Sequence, residues 1–303
     1  MKAHEIHLNE YPEGEPTLDI FETAEVELPE VGDGEVRLET LAFSVDPYMR
    51  GRMSGMRTYV DPFPLHDSLE GGAVSRVVES KHDKVPEGSL VLSQHGWRDA
   101  AVASGDGLRV LPELPASPTL FLGALGMTGF TAWVGLRRIA ELEEGETLYV
   151  SAAAGAVGSM VGQIAKQWGA TVIGSAGSDE KVARLKELGF DEAFNYKTDP
   201  PMKALARLAP DGIEVYFDNV GGDSLEAALA HLNDHGRAAI CGMISAYNAT
   251  EPPPGPRTMT NIVTRQLKLE GFLVSDHWEH FDSFAQEVSP LVLDGTIKAE
   301  ETI

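Results

Sequence analysis

The chain has 303 residues, long for one hydrophobic core, and its 47 Asp and Glu against 24 Lys and Arg leave a formal net charge of −23. Such a surface repels phosphodiester backbones and anionic lipid, so nucleic acid and membrane surfaces are not expected as partners. No apolar run approaches the ~20 residues of a membrane helix, no apolar stretch follows the charged N-terminus, and the one cysteine, Cys241, allows neither an internal disulfide nor a thiolate zinc cluster, so a soluble cytoplasmic protein is expected.

Residues 1–118 read as β-rich. Short apolar runs at Glu35–Phe43, Gly72–Glu79 and Ser89–Ser93 alternate with the turn signals Gly32-Asp33-Gly34, Pro86-Glu87-Gly88 and Gly105-Asp106-Gly107. No helical period is sustained there. The Pro-rich stretch Leu111–Pro118 marks a boundary. Beyond it, strands alternate with helices. Strands are predicted at Thr147–Ser151, Thr171–Ser175, a short one ending at Phe194-Asn195, Ile213–Asp218 and Arg237–Cys241. Helices are predicted through Met160–Lys166, Glu180–Leu188, Met202–Leu208 and Ser224–Leu232. This βαβ texture predicts an α/β fold with a doubly wound parallel sheet, a Rossmann domain over 119–293. Thr250–Thr260, with its run of prolines, is a loop, either a lid or a connector. A strand at Leu267–Val274 and a helix at about Glu279–Leu293 follow.

The most informative motif is Tyr149–Gly158, which leaves a predicted strand and opens a helix, as a dinucleotide fingerprint does. Gly155 would let the backbone approach a pyrophosphate, and Gly158 would let helix pack on sheet. The phosphates would rest on amides of Ala154, Gly155, Ala156, Val157 and Gly158 at the helix start. Ala153 stands where the first glycine usually sits. The second strand and its exit, Thr171–Ser178, carry no acid to hold ribose hydroxyls, and Lys181 follows one turn later as a point charge for a 2′-phosphate. NADP is therefore expected over NAD, with Asp179 and Glu180 serving the helix start.

These residues, together with Asp46-Pro47-Tyr48-Met49-Arg50, Gly126-Met127-Thr128-Gly129, Phe194–Lys197, Tyr216–Gly222 and Cys241–Asn248, closely resemble the zinc-free prostaglandin reductase and 2-alkenal reductase branch of the medium-chain dehydrogenase/reductase family. The resemblance runs over nearly the whole chain. It implies a GroES-like, barrel-like catalytic domain, to which about 294–303 return, with the active site in the cleft beside the Rossmann domain. It implies NADPH held by Gly177, Lys181 and Tyr196 near the 2′-phosphate. Asn219, Cys241, Ser245 and Tyr247 would line the cofactor's path, and Phe272, Leu273 and Val274 would approach the nicotinamide. Pro47 and Tyr48 would lie at the substrate end. It also implies homodimers joined through the Leu267–Val274 edge. Plant members carry a tyrosine where this chain has Gly72, so a wider pocket is expected. Members of the branch continue a few dozen residues past the equivalent of Ile303, with an asparagine near the nicotinamide.

The expected reaction is NADPH-dependent reduction of the C=C bond of α,β-unsaturated aldehydes and ketones, hydride adding to the β-carbon without zinc. Charge then develops on the carbonyl oxygen, and a donor placed there stabilises the transition state. Tyr247 is the first choice of donor and Tyr48 the second, since a phenol stays protonated at neutral pH. The alternatives are quinone reduction, alcohol oxidation, or an NADP-binding protein without catalysis. No metal is expected, since the pair His277 and His280 has no evident further ligand. Met49, Met53 and Met56 fit either a pocket lining or core filling.

Overall fold

The computed structural model describes residues 1–302, in two compact units, Met1–Leu122 and Gly123 onward. In the first unit, β1 (Lys2–Leu8) pairs antiparallel with β2 (Phe21–Glu27). β3 (Glu35–Phe43) runs where the alternating pattern places it. The helix α1 (Tyr48–Arg52) follows, then β4 (Ala73–Ser80), β5 (Leu90–Ser93), β6 (Ala100–Ser104) and β7 (Arg109–Val110). β3 to β7 form an antiparallel sheet in the order β6-β3-β4-β5-β7. Its alternation buries Val36, Leu38, Val77, Val91 and Ala103 on one face, the period-2 logic of a half-buried strand.

The second unit opens with α2 (Met127–Val134), which continues into a π-helical turn, Gly135–Ile139. Then come β8 (Thr147–Val150), α3 (Ala156–Gln167), β9 (Thr171–Ala176), α4 (Asp179–Glu187), β10 (Glu192–Asn195), α5 (Pro201–Leu208), β11 (Ile213–Asp218), α6 (Gly222–His231), β12 (Leu232–Ile240), α7 (Thr260–Thr264), β13 (Lys268–Gly271) and α8 (Phe281–Leu293). The six strands are parallel, in the order β10-β9-β8-β11-β12-β13, the doubly wound arrangement. Its core stacks Tyr149 on Tyr216, ring centroids 5.0 Å apart, both fully buried.

The elements end for local reasons. α4 starts at Ser178, whose hydroxyl accepts from the Lys181 amide, and carries acids in its first turn and Arg184 and Lys186 in its last. α5 opens on Pro201, whose missing N–H costs nothing there. α3 packs tightly on Phe190, between α4 and β10, because Gly162 carries no Cβ: one there would stand 1.9 Å from that ring.

Several expectations are corrected. α1 and α2 lie where no helix was expected. The last strand ends at Gly271, and Val274–His280 is a 3-10 helix. β12 begins at Leu232, with an irregular register before Arg237 and a left-handed residue at His235. Residues 294–302 were expected to rejoin the first unit. They pack instead on α3 and α4 of the second: Ile297 is buried, Gln163 exchanges hydrogen bonds of 3.0 and 2.8 Å with the Lys298 backbone, and Arg184 pairs with Glu300. Ile303 lies outside the described residues.

Candidate cofactor-binding and active site

Four segments leave the carboxyl ends of the adjacent strands β9, β8, β11 and β12, the edge where such sheets bind ligands. After β8 the chain turns through Ala152, held left-handed at φ 47°, to Gly155, which caps α3 in extended conformation. No side chain caps this helix, so its first amides are open to an anion. Gly155 and Ala156 are exposed, Ala154 and Val157 partly so. A Cβ at Gly158 would lie 2.4 Å from the Ala152 carbonyl oxygen, whereas one at Gly155 would meet that oxygen at 3.3 Å. Gly158 is thus sterically obligatory, and Gly155 sits at a tight but passable approach. Ala153 is tolerated in the usual glycine place because glycine stands opposite: a Cβ on Gly174 would press within 2.9 Å of the Ala153 methyl.

At the exit of β9, a Cβ on Gly177 would stand 3.0 Å from the Tyr196 hydroxyl, so the phenol lies across the glycine. Lys181, one turn into α4, is exposed, and its ammonium makes no hydrogen bond or ion pair among the described residues. Asp179 is occupied by Asn195, 2.7 Å away. The corner therefore presents an uncommitted cation, a phenol and the start of a helix.

The hub of the site is Asp218 at the end of β11, to which the sequence reading assigned no role. It is fully buried. Its Oδ1 accepts from the Tyr216 hydroxyl at 2.6 Å, the Gly221 amide at 2.8 Å, the Val220 amide at 2.9 Å and the Ser151 hydroxyl at 3.2 Å. Burial raises its pKa, against the opposing pull of those donors. Ser151 in turn accepts from the Asn219 amide at 2.9 Å, and its carbonyl accepts from Asn219 Nδ2 at 2.9 Å. The turn after β8 is thereby tied to the turn after β11. An acid directly after the apolar run Val215-Tyr216-Phe217 was the available signal.

The loop after β12 is fixed to the same hub. The amides of Cys241 and Gly242 donate to the Asp218 carbonyl at 2.9 and 3.0 Å, and Ser245 donates from its amide and hydroxyl to the Val220 carbonyl. Cys241 has its thiol pushed up to about 12, first by burial and then by Asp218, so it is no nucleophile at neutral pH. Tyr247 is half-buried, with its hydroxyl 3.1 Å from where a Gly242 Cβ would stand. Burial raises its phenol's pKa. Phe272 packs edge-on to Phe217, centroids 6.3 Å apart, Leu273 caps the 3-10 helix and Val274 begins it. The proline-rich loop is pinned at its far end, where the Arg257 amide and Thr258 hydroxyl donate to Glu226.

In the first unit, Pro47 precedes α1 and Tyr48 begins it. Tyr48 is half-buried, its pKa raised by burial and then by Asp46. Met49 and Met53 fill the core with Leu8, Ile20, Phe63 and Leu69, while Met56 is exposed. Gly72 has room: a Cβ there would first meet Leu122 at 3.5 Å.

Two family descriptions match the chain: an N-terminal domain of oxidoreductase over residues 4–111 and a zinc-binding dehydrogenase over 156–291. Prostaglandin reductase 1 of Rattus norvegicus is 49% identical over 279 residues, covering 90% of this chain and 82% of that protein. An NADP(+)-dependent 2-alkenal reductase of Nicotiana tabacum is 40% identical, covering 93% of this chain and 82% of its own. CurA from Vibrio vulnificus, solved in complex with NADPH, superposes with a TM-score of 0.94 at 39% identity, over 99% of this chain and 90% of that one. The second description names zinc, but the residues here do not fit such a centre. The sole cysteine is a partly buried, protonated thiol, so no thiolate set of a dehydrogenase zinc centre can form among the described residues. The chain belongs to the medium-chain dehydrogenase/reductase family, in the branch of the prostaglandin and 2-alkenal reductases.

Proposed function

We propose that the protein reduces the C=C bond of α,β-unsaturated aldehydes and ketones at the expense of NADPH. The observation that carries the reading is the corner of β9 and α4, where Tyr196 lies across Gly177, no acid stands in the ribose position, and the exposed Lys181 ammonium one turn on makes no hydrogen bond or ion pair among the described residues. Lys181 and Tyr196 would take the 2′-phosphate. The turn from Ala154 to Gly158 would take the pyrophosphate on the amides that begin α3, the Gly155 amide itself donating to the Ala152 carbonyl at 3.0 Å. Asn219, Cys241 and Ser245 would line the path between, and Phe272, Leu273 and Val274 the nicotinamide end. The bound coenzyme supplies the hydride.

This chain's own residues position the reactants and hold protons. Tyr247, braced by the loop that Asp218 anchors, would donate its hydroxyl hydrogen to the carbonyl oxygen as negative charge develops there. Its raised pKa keeps that proton in place at neutral pH. Tyr48, with Pro47, would contact the substrate and is the second candidate donor. A bare Gly72 leaves width beside it. No step needs zinc. We further propose a homodimer through β13, which ends the sheet and leaves a strand edge to be paired, and a cytoplasmic location.

The test is NADPH depletion over a panel of enals, enones and quinones, repeated with NADH. A saturated product with its carbonyl intact supports the reading. Turnover of quinones alone sinks it, and tight NADPH binding with no turnover would instead favour a nucleotide-binding protein without catalysis.

A further inference from the structure

The 3-10 helix Val274–His280 carries a group of side chains that the reductase reading does not use. In a 3-10 helix residues three apart eclipse, so His277 and His280 stand along one edge. Their rings lie 6.4 Å apart at an interplanar angle of 27°. Glu279 joins them, its Oε1 3.5 Å from His280 Nε2. One ligand atom from each of the three lies within 4.8 Å of the others. The pair that the sequence left without a third ligand has one, supplied by the side chain of the intervening exposed residue.

The surroundings favour the arrangement. His277 is set edge-on to Phe272, centroids 6.4 Å apart, and His280 lies 6.5 Å from the Trp133 ring, so packing limits both imidazoles. Asp276, beside His277 in the same groove, adds local negative charge to a chain already at −23. Two imidazole nitrogens and one carboxylate oxygen suit zinc and its first-row neighbours, not magnesium or calcium. With bonds of about 2.1 Å to a tetrahedral ion, ligand atoms sit roughly 3.4 Å apart. Closing the cluster therefore needs each atom to move by about an ångström or less, within the reach of ordinary side-chain rotation.

We infer that His277, Glu279 and His280 form a three-ligand site for a divalent transition-metal ion, with water completing the shell. The ion would clip the chain between Phe272–Val274 and the start of α8. Other histidine–acid contacts, His4 with Asp99, His7 with Glu5 and His82 with Asp106, bring two groups each and make weaker sites.

The test is titration of the chelator-treated full chain with Co2+, read by its visible ligand-field absorption. One equivalent is expected to give tetrahedral-type bands, and the melting temperature should rise by about 5 °C at a hundredfold excess over the dissociation constant. His277→Asn and His280→Asn should each weaken binding at least tenfold while far-UV circular dichroism and NADPH affinity stay unchanged. His82→Asn should leave the titration as it is. The inference is overturned if the native chain shows no such one-equivalent bands, or if the double variant, still folded, keeps both the bands and the thermal shift.

Discussion

Lys181 and Tyr247 owe their proposed roles to opposite environments. Lys181 is useful because, among the described residues, its exposed ammonium makes no hydrogen bond or ion pair that a 2′-phosphate would have to displace. Lys181→Ala should raise the dissociation constant for NADPH by about tenfold and leave that for NADH nearly unchanged, as charge-assisted contacts of this kind predict. Isothermal titration with both coenzymes checks this, and an equal loss for both would remove the lysine from the phosphate site. Tyr247 is useful because it is half-buried. Tyr247→Phe should lower kcat by about a hundredfold, the scale of a lost oxyanion donor, with NADPH affinity preserved. Since burial raises the phenol's pKa above 10, activity should hold through neutral pH and fall only beyond pH 10, and the variant should lack that alkaline limb. A limb centred near pH 8 would exclude the phenol as its source.

Among the elements, the turns after β8 and β11 behave as one piece because Asp218, Ser151 and Asn219 are hydrogen-bonded together. Removing the hub by Asp218→Ala leaves buried donors unsatisfied and should cost about 3 kcal/mol, with weaker NADPH binding, measured by urea unfolding and fluorescence titration. The raised pKa sets the sign of the pH effect. Stability from this carboxyl is complete below its unfolded pKa and is lost as pH rises through the higher folded value. Relative to the non-titrating Asp218→Asn, the native chain should therefore lose stability on going from acid toward neutral pH. The two glycines of the α3 entry separate in the same way. Gly158→Ala drives a methyl 2.4 Å from a backbone oxygen and should cost at least about 2 kcal/mol and abolish tight coenzyme binding. Gly155→Ala, at 3.3 Å, should be markedly milder. Equal thermal-melt losses in the two variants would contradict this reading of the turn.

At the scale of the whole molecule, the −23 charge dominates. Repulsion among so many carboxylates opposes compaction, and added salt screens it. The melting temperature should climb by several degrees between dilute buffer and molar potassium chloride. A salt-insensitive transition would show that local ion pairs, such as Arg237 with Glu146, already balance the excess.

What the sequence determined by itself is what local periodicity and end signals encode. β11 runs over Ile213–Asp218 as read, and α4 and the glycine turn after β8 lie where capping and glycine spacing put them. Tertiary structure decided the rest. α2 was invisible because every residue from Thr128 to Val134 is buried, which leaves no polar face and no helical period to read. Residues 294–302 join the second unit through Gln163 and the burial of Ile297, pairings too distant in sequence for any pattern to announce. Asp218 became a hub only when the turns after β8 and β11 met at its carboxylate oxygen and the turn after β12 at its main-chain carbonyl. Glu279 became a third partner to two histidines only when the chain beyond Gly271 wound into a 3-10 helix instead of continuing as a strand. Contacts between distant segments set these features, and a window of neighbouring residues holds no record of them.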